Sequence, residues 1–329
     1  MQSLVLTHDG LQIADTPLPP LMPGHVRIEV RSVGICSLDL AIWKGNVEAE
    51  MPIILGHEIS GVVHESSLPE FRPATHVAIE ADQHCGTCWF CRRGRKNVCL
   101  QKKTLGIDLD GGMTEYLTVP VDSVFPLPEG IDDNAGTFIE PLAAAIQTYE
   151  TTPSQPDEAV VVIGSGKLGL LIAQVYDAYG ADVHVVGKNK WQLGLARQLG
   201  LRNTHNIKES NWRQSVLNAT AGVGSRIVVE ATGSPTGFDM ATEIVRSEGV
   251  VAIKSTHGSK HGVDLNEIVQ RGLRIQGTTG GSFSKAIDLL SKGRIEVKRL
   301  ISGQFGLEQG AEAFRFADRP ENTKVIVNV

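Results

Sequence analysis

Three short stretches in the first half of the chain carry side chains able to hold a metal at which chemistry can occur. Cys36 stands in Val33-Gly34-Ile35-Cys36-Ser37-Leu38-Asp39. His57 and Glu58 stand in Leu55-Gly56-His57-Glu58-Ile59-Ser60-Gly61, and Glu140 in Phe138-Ile139-Glu140-Pro141-Leu142. One thiolate, one imidazole and one or two carboxylates suit a zinc ion that keeps an exchangeable position, which catalysis requires. Taken singly, each has a plainer reading. A lone cysteine is usually a small buried apolar residue, a lone histidine a hydrogen-bonded core residue, and Glu140 could merely lead into a helix.

A second group is tighter. Cys85, Cys88, Cys91 and Cys99 place four thiolates within fifteen residues. Four soft anionic ligands at that spacing suit a closed, structural zinc site. Gly86, Gly94 and the charged Arg92, Arg93, Arg95 and Lys96 form a tight solvated lobe around it. The alternatives are disulfides, which fit poorly with an unsecreted chain, and an iron–sulfur cluster, whose spacing usually differs.

A third stretch organises the second half. Val160-Val161-Val162-Ile163 runs straight into Gly164-Ser165-Gly166-Lys167-Leu168-Gly169, and an apolar segment continues at helical spacing to Tyr179. A β-branched run of this kind reads as a strand buried on both faces. The glycines provide the tight turn, the close approach to a pyrophosphate and the packing of helix on strand. The helix N-terminus then offers free N–H groups to phosphate. Flanked by strand and helix, with Val183-His184-Val185-Val186 as the next strand, the motif is read as dinucleotide binding. The alternative is a structural glycine turn in an unrelated α/β unit.

The second strand argues for the type of dinucleotide. NAD-binding units usually carry an acidic residue about twenty residues after the glycine turn, hydrogen-bonded to the ribose. Here Gly187 follows the strand, then Lys188, Asn189 and Lys190, and no Asp or Glu occurs from Val183 to Lys208. Gly187 removes a carboxylate that would repel a 2′-phosphate and is expected to leave space for it, while the lysines supply charge. NADP(H) is therefore expected over NAD(H), although the lysines could be only a solvated helix start.

The elements that must position these residues fall into two patterns. The 329 residues suggest two domains. Residues 1–150 read as β-rich: Val26–Val33 alternates, Ile59–Val63, His76–Ile79 and Thr114–Val119 are short strands, and Gly and Pro turns between them suggest a partly open barrel. Thr152-Pro153-Ser154-Gln155-Pro156 is a linker after a helix from Leu142 to Glu150. From Ala159 strands near 159–163, 182–186, 226–230, 249–253 and 273–278 alternate with helices near 167–179, 190–199, 211–219, 236–246 and 283–292, a parallel doubly wound sheet. Val325–Val327 is a last strand that returns to the first domain, so residues 151–294 form the dinucleotide-binding domain and 295–329 complete the other.

Composition sets the limits. With 41% hydrophobic and 21% charged residues the chain is ordinary globular protein. A net charge of −6 gives no reason to expect nucleic acid. No stretch is long and apolar enough for a membrane span, and the N-terminal residues do not resemble a signal peptide. With the cysteines at metal spacing, this points to the cytoplasm.

Taken in order, the motifs become specific. Gly34-Ile35-Cys36-x-x-Asp39, Gly56-His57-Glu58-x-x-Gly61, the four-cysteine lobe, Asp110-Gly111-Gly112-Met113-Thr114-Glu115-Tyr116, Glu140-Pro141-Leu142-Ala143, the glycine loop and Glu230-Ala231-Thr232-Gly233 follow one another along the chain. The sequence resembles the zinc-dependent medium-chain dehydrogenase/reductase family from end to end, with a flavour of sorbitol and threonine dehydrogenases. The resemblance implies an α/β fold, with a GroES-like β-rich catalytic domain split in sequence by a Rossmann domain and the active site in the cleft between them. It implies Cys36 and His57 as catalytic zinc ligands, Glu58 as a direct or alternating ligand, and Glu140 as a ligand directly or through water. Asp39 would orient the zinc imidazole, and Thr232 lies in the cofactor-binding set. Two zinc ions per chain, one catalytic and one structural, are implied. So is reversible hydride transfer between a small alcohol or carbonyl substrate and the nicotinamide, with zinc as Lewis acid. Resembling enzymes are homodimers or homotetramers, and the strand near Arg274–Thr278 is an expected sheet edge open to pairing.

The pattern breaks at one place. The family commonly has Ser or Thr two residues after the first cysteine, and often His three further on, as a proton relay. Here those positions hold Leu38 and Ala41, and Ser37, one residue off, is expected to point elsewhere. The substrate is not legible; residues 45–51 and 278–284 are guesses for the pocket walls. Two other functions fit parts of the sequence: a catalytically idle NADP(H)-binding redox sensor, which would need no open metal site, and a zinc-free quinone reductase on the same fold, which would lack these ligands.

Overall fold

The computed structural model describes residues 1–66, 68–255 and 260–329. Two compact units emerge, one comprising Met1–Ala143, Phe283–Gly293 and Leu300–Val329, the other Ala144–Ser282 and Arg294–Arg299.

The first unit is built on a seven-stranded sheet. Its central strand, His25–Ile35, buries Val26, Ile28 and Val30 on one face and then Val33, Gly34 and Ile35 together. Glu58–Ser66 pairs antiparallel with it along one edge, while Tyr116–Pro120 pairs with its first half and Lys324–Asn328 with its last residues along the other. Ile301–Gly306 extends the sheet as a parallel partner of Lys324–Asn328, so the C-terminal tail does return to this unit. A separate three-stranded sheet joins Gln2–Thr7 to Gly10–Asp15 and Ile53–Ile54. The apolar faces meet in one core that includes Leu4, Ile28, Val33, Ile42, Leu55, Ile79, Met113 and Phe314. The sequence reading differs here in several respects: Ser37–Trp43, Asp133–Gly136 and Gly310–Ala317 are helices that were not anticipated, the helix expected from Leu142 runs from Ile139 to Thr151, and Phe283–Gly293, expected within the dinucleotide-binding domain 151–294, belongs to this unit.

The second unit is a six-stranded sheet with every neighbouring pair parallel. Its order is Asn203–Asn206, Asp182–Gly187, Ala159–Ile163, Ser225–Glu230, Val245–Ile253, Arg274–Gly277. The five expected strands are present. Asn203–Asn206 is an additional edge strand with no apolar pattern of its own, and Leu265–Arg271 an additional helix. Val160 to Ile163 are all buried, as helices on both faces of a parallel sheet require. Among the described residues, no helix is long and apolar enough to cross a membrane.

Candidate active site and cofactor loop

Cys36 sits at the junction where the central strand of the first unit ends and the helix Ser37–Trp43 begins. His57 immediately precedes the neighbouring strand, and Glu58 is that strand's first residue. The antiparallel register sets Gly34 opposite Glu58, so the two junctions lie side by side. Donor atoms of Cys36, His57 and Glu58 consequently fall within 4.8 Å of one another.

Asp39 ties these segments together. Fully buried, it accepts the Cys36 N–H at 2.7 Å through one carboxylate oxygen and the Gly56 N–H at 3.1 Å through the other. The second oxygen also lies 3.3 Å from His57 Nδ1. Burial disfavours charge on the imidazole, but Asp39 and Cys36 outweigh it and hold the His57 pKa well above its usual value.

This donor set fits zinc. Sulfur, imidazole nitrogen and carboxylate oxygen are its ordinary ligands. His57 Nδ1 faces the buried Asp39 carboxylate, the arrangement that orients a metal-bound imidazole. Glu140 stands apart from the three-residue group, in the first turn of the helix Ile139–Thr151. Burial raises its carboxyl above the ordinary range, with His57 pulling it down and Glu58 pushing it up. Ser37, expected to point away, places its hydroxyl 3.9 Å from Cys36 Sγ. Leu38 is half-buried against the core.

One residue of this site escaped the sequence reading. Lys324 is fully buried and forms an ion pair with the equally buried Glu58. Its ammonium also lies 4.8 Å from the centre of the Phe138 ring. Gly34 lies between Glu58 and the strand that starts at Lys324, and a Cβ on it would stand only 2.0 Å from Lys324 Nζ. The available signal was periodicity. Lys324 is two residues from the buried Ile326 and so shares its face.

The four cysteines of the lobe also come together. Cys99 Sγ lies 3.6 Å from Cys85 Sγ and 3.9 Å from Cys88 Sγ. A tetrahedron of ligands at about 2.3 Å from zinc has edges of about 3.8 Å, so the fit is close. Backbone N–H groups of Cys85 and Gln101 donate to Cys99 Sγ, and that of Cys88 donates to Cys85 Sγ. Hydrogen bonds from Thr87 lower the Cys85 thiol to about 6, favouring the thiolate a metal needs.

In the second unit the glycine loop has the anticipated form. Gly164 has φ +124°, and a Cβ on Gly169 would meet Gly164 O at 2.0 Å, so only glycine lets the helix Lys167–Ala178 come this close to the strand. Leu168 and Lys167 open that helix, with Gly166 before it. Ser165 is buried and donates to Gln192 Oε1 at 3.0 Å. Thr232 donates through its backbone N–H and its hydroxyl to buried Glu230, whose other oxygen accepts from Ser255.

One expectation is corrected. Gly187 was read as leaving space for a 2′-phosphate, but Ser165 and Leu193 fill that space. Gly187 is glycine because the glycine loop packs directly on it. Lys188 and Lys190 are exposed beyond it, while Asn189 caps the following helix by accepting the Trp191 N–H.

Comparison with known proteins agrees with this geometry. Residues 22–129 match the alcohol dehydrogenase GroES-like domain, and residues 168–292 the zinc-binding dehydrogenase domain. L-threonine 3-dehydrogenase of Bacillus subtilis is 30% identical over 97% of this chain and 95% of its own length. A protein of Sinorhizobium meliloti 1021 described as a zinc-binding dehydrogenase and bound to NADP superimposes with a TM-score of 0.93 at 26% identity, over 100% of this chain and 99% of its own. Galactitol-1-phosphate dehydrogenase of Escherichia coli superimposes with a TM-score of 0.91 at 27% identity, over 99% of both chains. The chain belongs to the zinc-dependent medium-chain dehydrogenase/reductase family, and it transfers hydride between an alcohol or carbonyl substrate and a nicotinamide cofactor.

Proposed function

We propose that the chain holds two zinc ions: a catalytic one at Cys36, His57 and Glu58, with Glu140 beside them directly or through water, and a structural one at Cys85, Cys88, Cys91 and Cys99. The observation that carries this reading is the meeting of a thiol, an imidazole and a carboxylate within 4.8 Å, with buried Asp39 bracing two of the three. A zinc ion there supplies a Lewis acid that eases deprotonation of a substrate hydroxyl near neutral pH.

The chain's own residues do the rest. Asp39 orients His57 and fixes the backbone that carries Cys36. The Ser37 hydroxyl, beside the Cys36 sulfur, stands in for the missing relay hydroxyl and passes the substrate proton toward solvent. Gly164, Ser165, Gly166 and the helix opened by Lys167 bind the pyrophosphate. NADP(H) is preferred because Lys188 and Lys190 carry charge beyond Gly187 and no carboxylate takes the place where NAD-binding units keep one.

The substrate is a secondary alcohol, polyol or aldehyde; the relatives are named for L-threonine and galactitol 1-phosphate, both of which bear hydroxyl groups. Four cysteines gathered as a metal-ligand group support reduced thiols and a cytoplasmic setting. The exposed edge strand Arg274–Gly277 supports a homodimer or homotetramer. Turnover of an alcohol, polyol and carbonyl panel by the zinc-loaded protein tests the reading. Zinc-dependent reduction of NADP by at least one alcohol is expected. Nucleotide binding without any turnover would favour the idle sensor, and quinone reduction by metal-free protein would favour the quinone reductase.

A further inference from the structure

We infer that Lys324 is a positioning residue that restrains Glu58, keeping the position this carboxylate could otherwise fill on the zinc open to substrate. The inference rests on the catalytic-zinc reading above and deepens it.

A lysine with no exposed surface is costly unless its charge is matched. Among the partners of Lys324 are two from distant parts of the chain, the Glu58 carboxylate and the face of Phe138. The sheet is arranged for the pair. Glu58 and Lys324 lie on strands that flank the central strand on opposite sides, and Gly34 lies between them. Any side chain at residue 34 would collide with both, since a Cβ there would be 2.3 Å from Lys324 Cε and 2.5 Å from Glu58 Oε2. The first unit therefore gives up a side chain at its centre to seat this ion pair.

Glu58 is claimed from two sides. It belongs to the group whose donor atoms lie within 4.8 Å, and its Oε2 is also the atom that Lys324 holds. A carboxylate whose charge is shared with a buried ammonium is a weaker metal ligand than one whose charge is unmatched. With Lys324 present, Glu58 stays close enough to approach the metal yet yields the place to a substrate oxygen. Without that ammonium, Glu58 would lose its buried cationic partner and would bind the zinc more strongly.

The test reads metal exchange as well as turnover. Release of the Cys36-dependent zinc to a coloured chelator is timed for wild type, Lys324→Met, Lys324→Arg and Lys324→Met/Glu58→Gln, and the cobalt-substituted proteins are titrated with azide as a small anionic probe. Lys324→Met is expected to release zinc about tenfold more slowly. Its cobalt spectrum should no longer respond to azide, and kcat/KM should fall while cofactor affinity stays at the wild-type value. Lys324→Arg should restore azide response and release, and the double variant should release zinc at least as fast as wild type. Should Lys324→Met fail to fold, Lys324→Gln, which keeps a donor and drops the charge, is read in the same way with the same expectation. Wild-type release and azide response in Lys324→Met or Lys324→Gln would overturn the inference, even if thermal stability fell. A wild type with no Cys36-dependent zinc would instead overturn the reading on which the inference rests.

Discussion

The hydroxyl of Ser165 sits over Gly187, so close that a Cβ on Gly187 would lie 2.2 Å from Ser165 Oγ. This contact joins the glycine loop to the end of the second strand, and it changes how cofactor choice should be probed. Gly187→Asp is expected to weaken both NADP and NAD, because the new side chain displaces Ser165 and the loop; such overpacking costs about 1–3 kcal/mol. Combined with Ser165→Gly, the same aspartate should shift preference toward NAD. The lysines can be tested without steric damage, since both are exposed. Lys188→Ala with Lys190→Ala should lower kcat/KM for NADP about ten- to hundredfold and leave NAD nearly unchanged. A wild type that prefers NAD would refute the assignment.

The proton route turns on Ser37 and Leu38. Ser37→Ala should reduce kcat/KM about tenfold near neutral pH, the low end for losing a group that moves a proton. Leu38→Ser should keep activity at or above the wild-type value, while trimming a half-buried apolar side chain costs about 1–2 kcal/mol of stability. A large loss of activity in Leu38→Ser, with Ser37→Ala unaffected, would show that Leu38 packs on substrate and that the proton leaves another way.

The edge of the parallel sheet carries the expectation for assembly. All four residues of Arg274–Gly277 are exposed, and nearby Leu265 and Val269 are 69% and 79% exposed. A strand whose outer edge is unpaired, beside apolar side chains, is a surface that proteins ordinarily cover. Val269→Glu should therefore break the oligomer without unfolding the subunit, its folding cost staying within about 0.5 kcal/mol for so exposed a site. Light scattering should show a multiple of 35.4 kDa for wild type and 35.4 kDa for the variant. A wild type that is already monomeric at micromolar concentration would contradict this.

Much of the fold was legible because the buried parallel strands are unbroken β-branched runs, as in Val160–Ile163, and because metal ligands and glycine loops have fixed spacings. What escaped was held by partners distant in sequence. Lys324 reads as the solvated start of a strand until the sheet brings it to Glu58, 266 residues away. Asn203–Asn206 has no apolar signal, since an edge strand here gains its place from pairing with Asp182–Gly187.

That edge strand brings a pH dependence. His205 Nε2 lies 3.0 Å from His184 Nδ1, and the rings are stacked. Burial, then His184, lowers the His205 pKa from 6.5 to about 4. The folded state thus resists a proton that the unfolded chain accepts, so this contribution to stability is present above pH 6.5 and is lost as pH falls toward 4. His205 is partly exposed, so the effect is discounted to about 1 kcal/mol. His205→Gln should narrow the Tm difference between pH 7.5 and pH 5 by about 2–4 °C. An unchanged difference would remove the histidine pair as its source.

The central claim is that Cys36, His57 and Glu58 hold a second, catalytic zinc distinct from the four-cysteine site. It is tested most directly by measuring zinc per chain in wild type and Cys36→Ala, with alcohol-dependent NADP reduction assayed on the same samples. Two zinc ions are expected in the wild type and one in a folded Cys36→Ala, whose turnover falls by about a thousandfold or more. One zinc in both proteins, with Cys36→Ala as active as wild type, would contradict it.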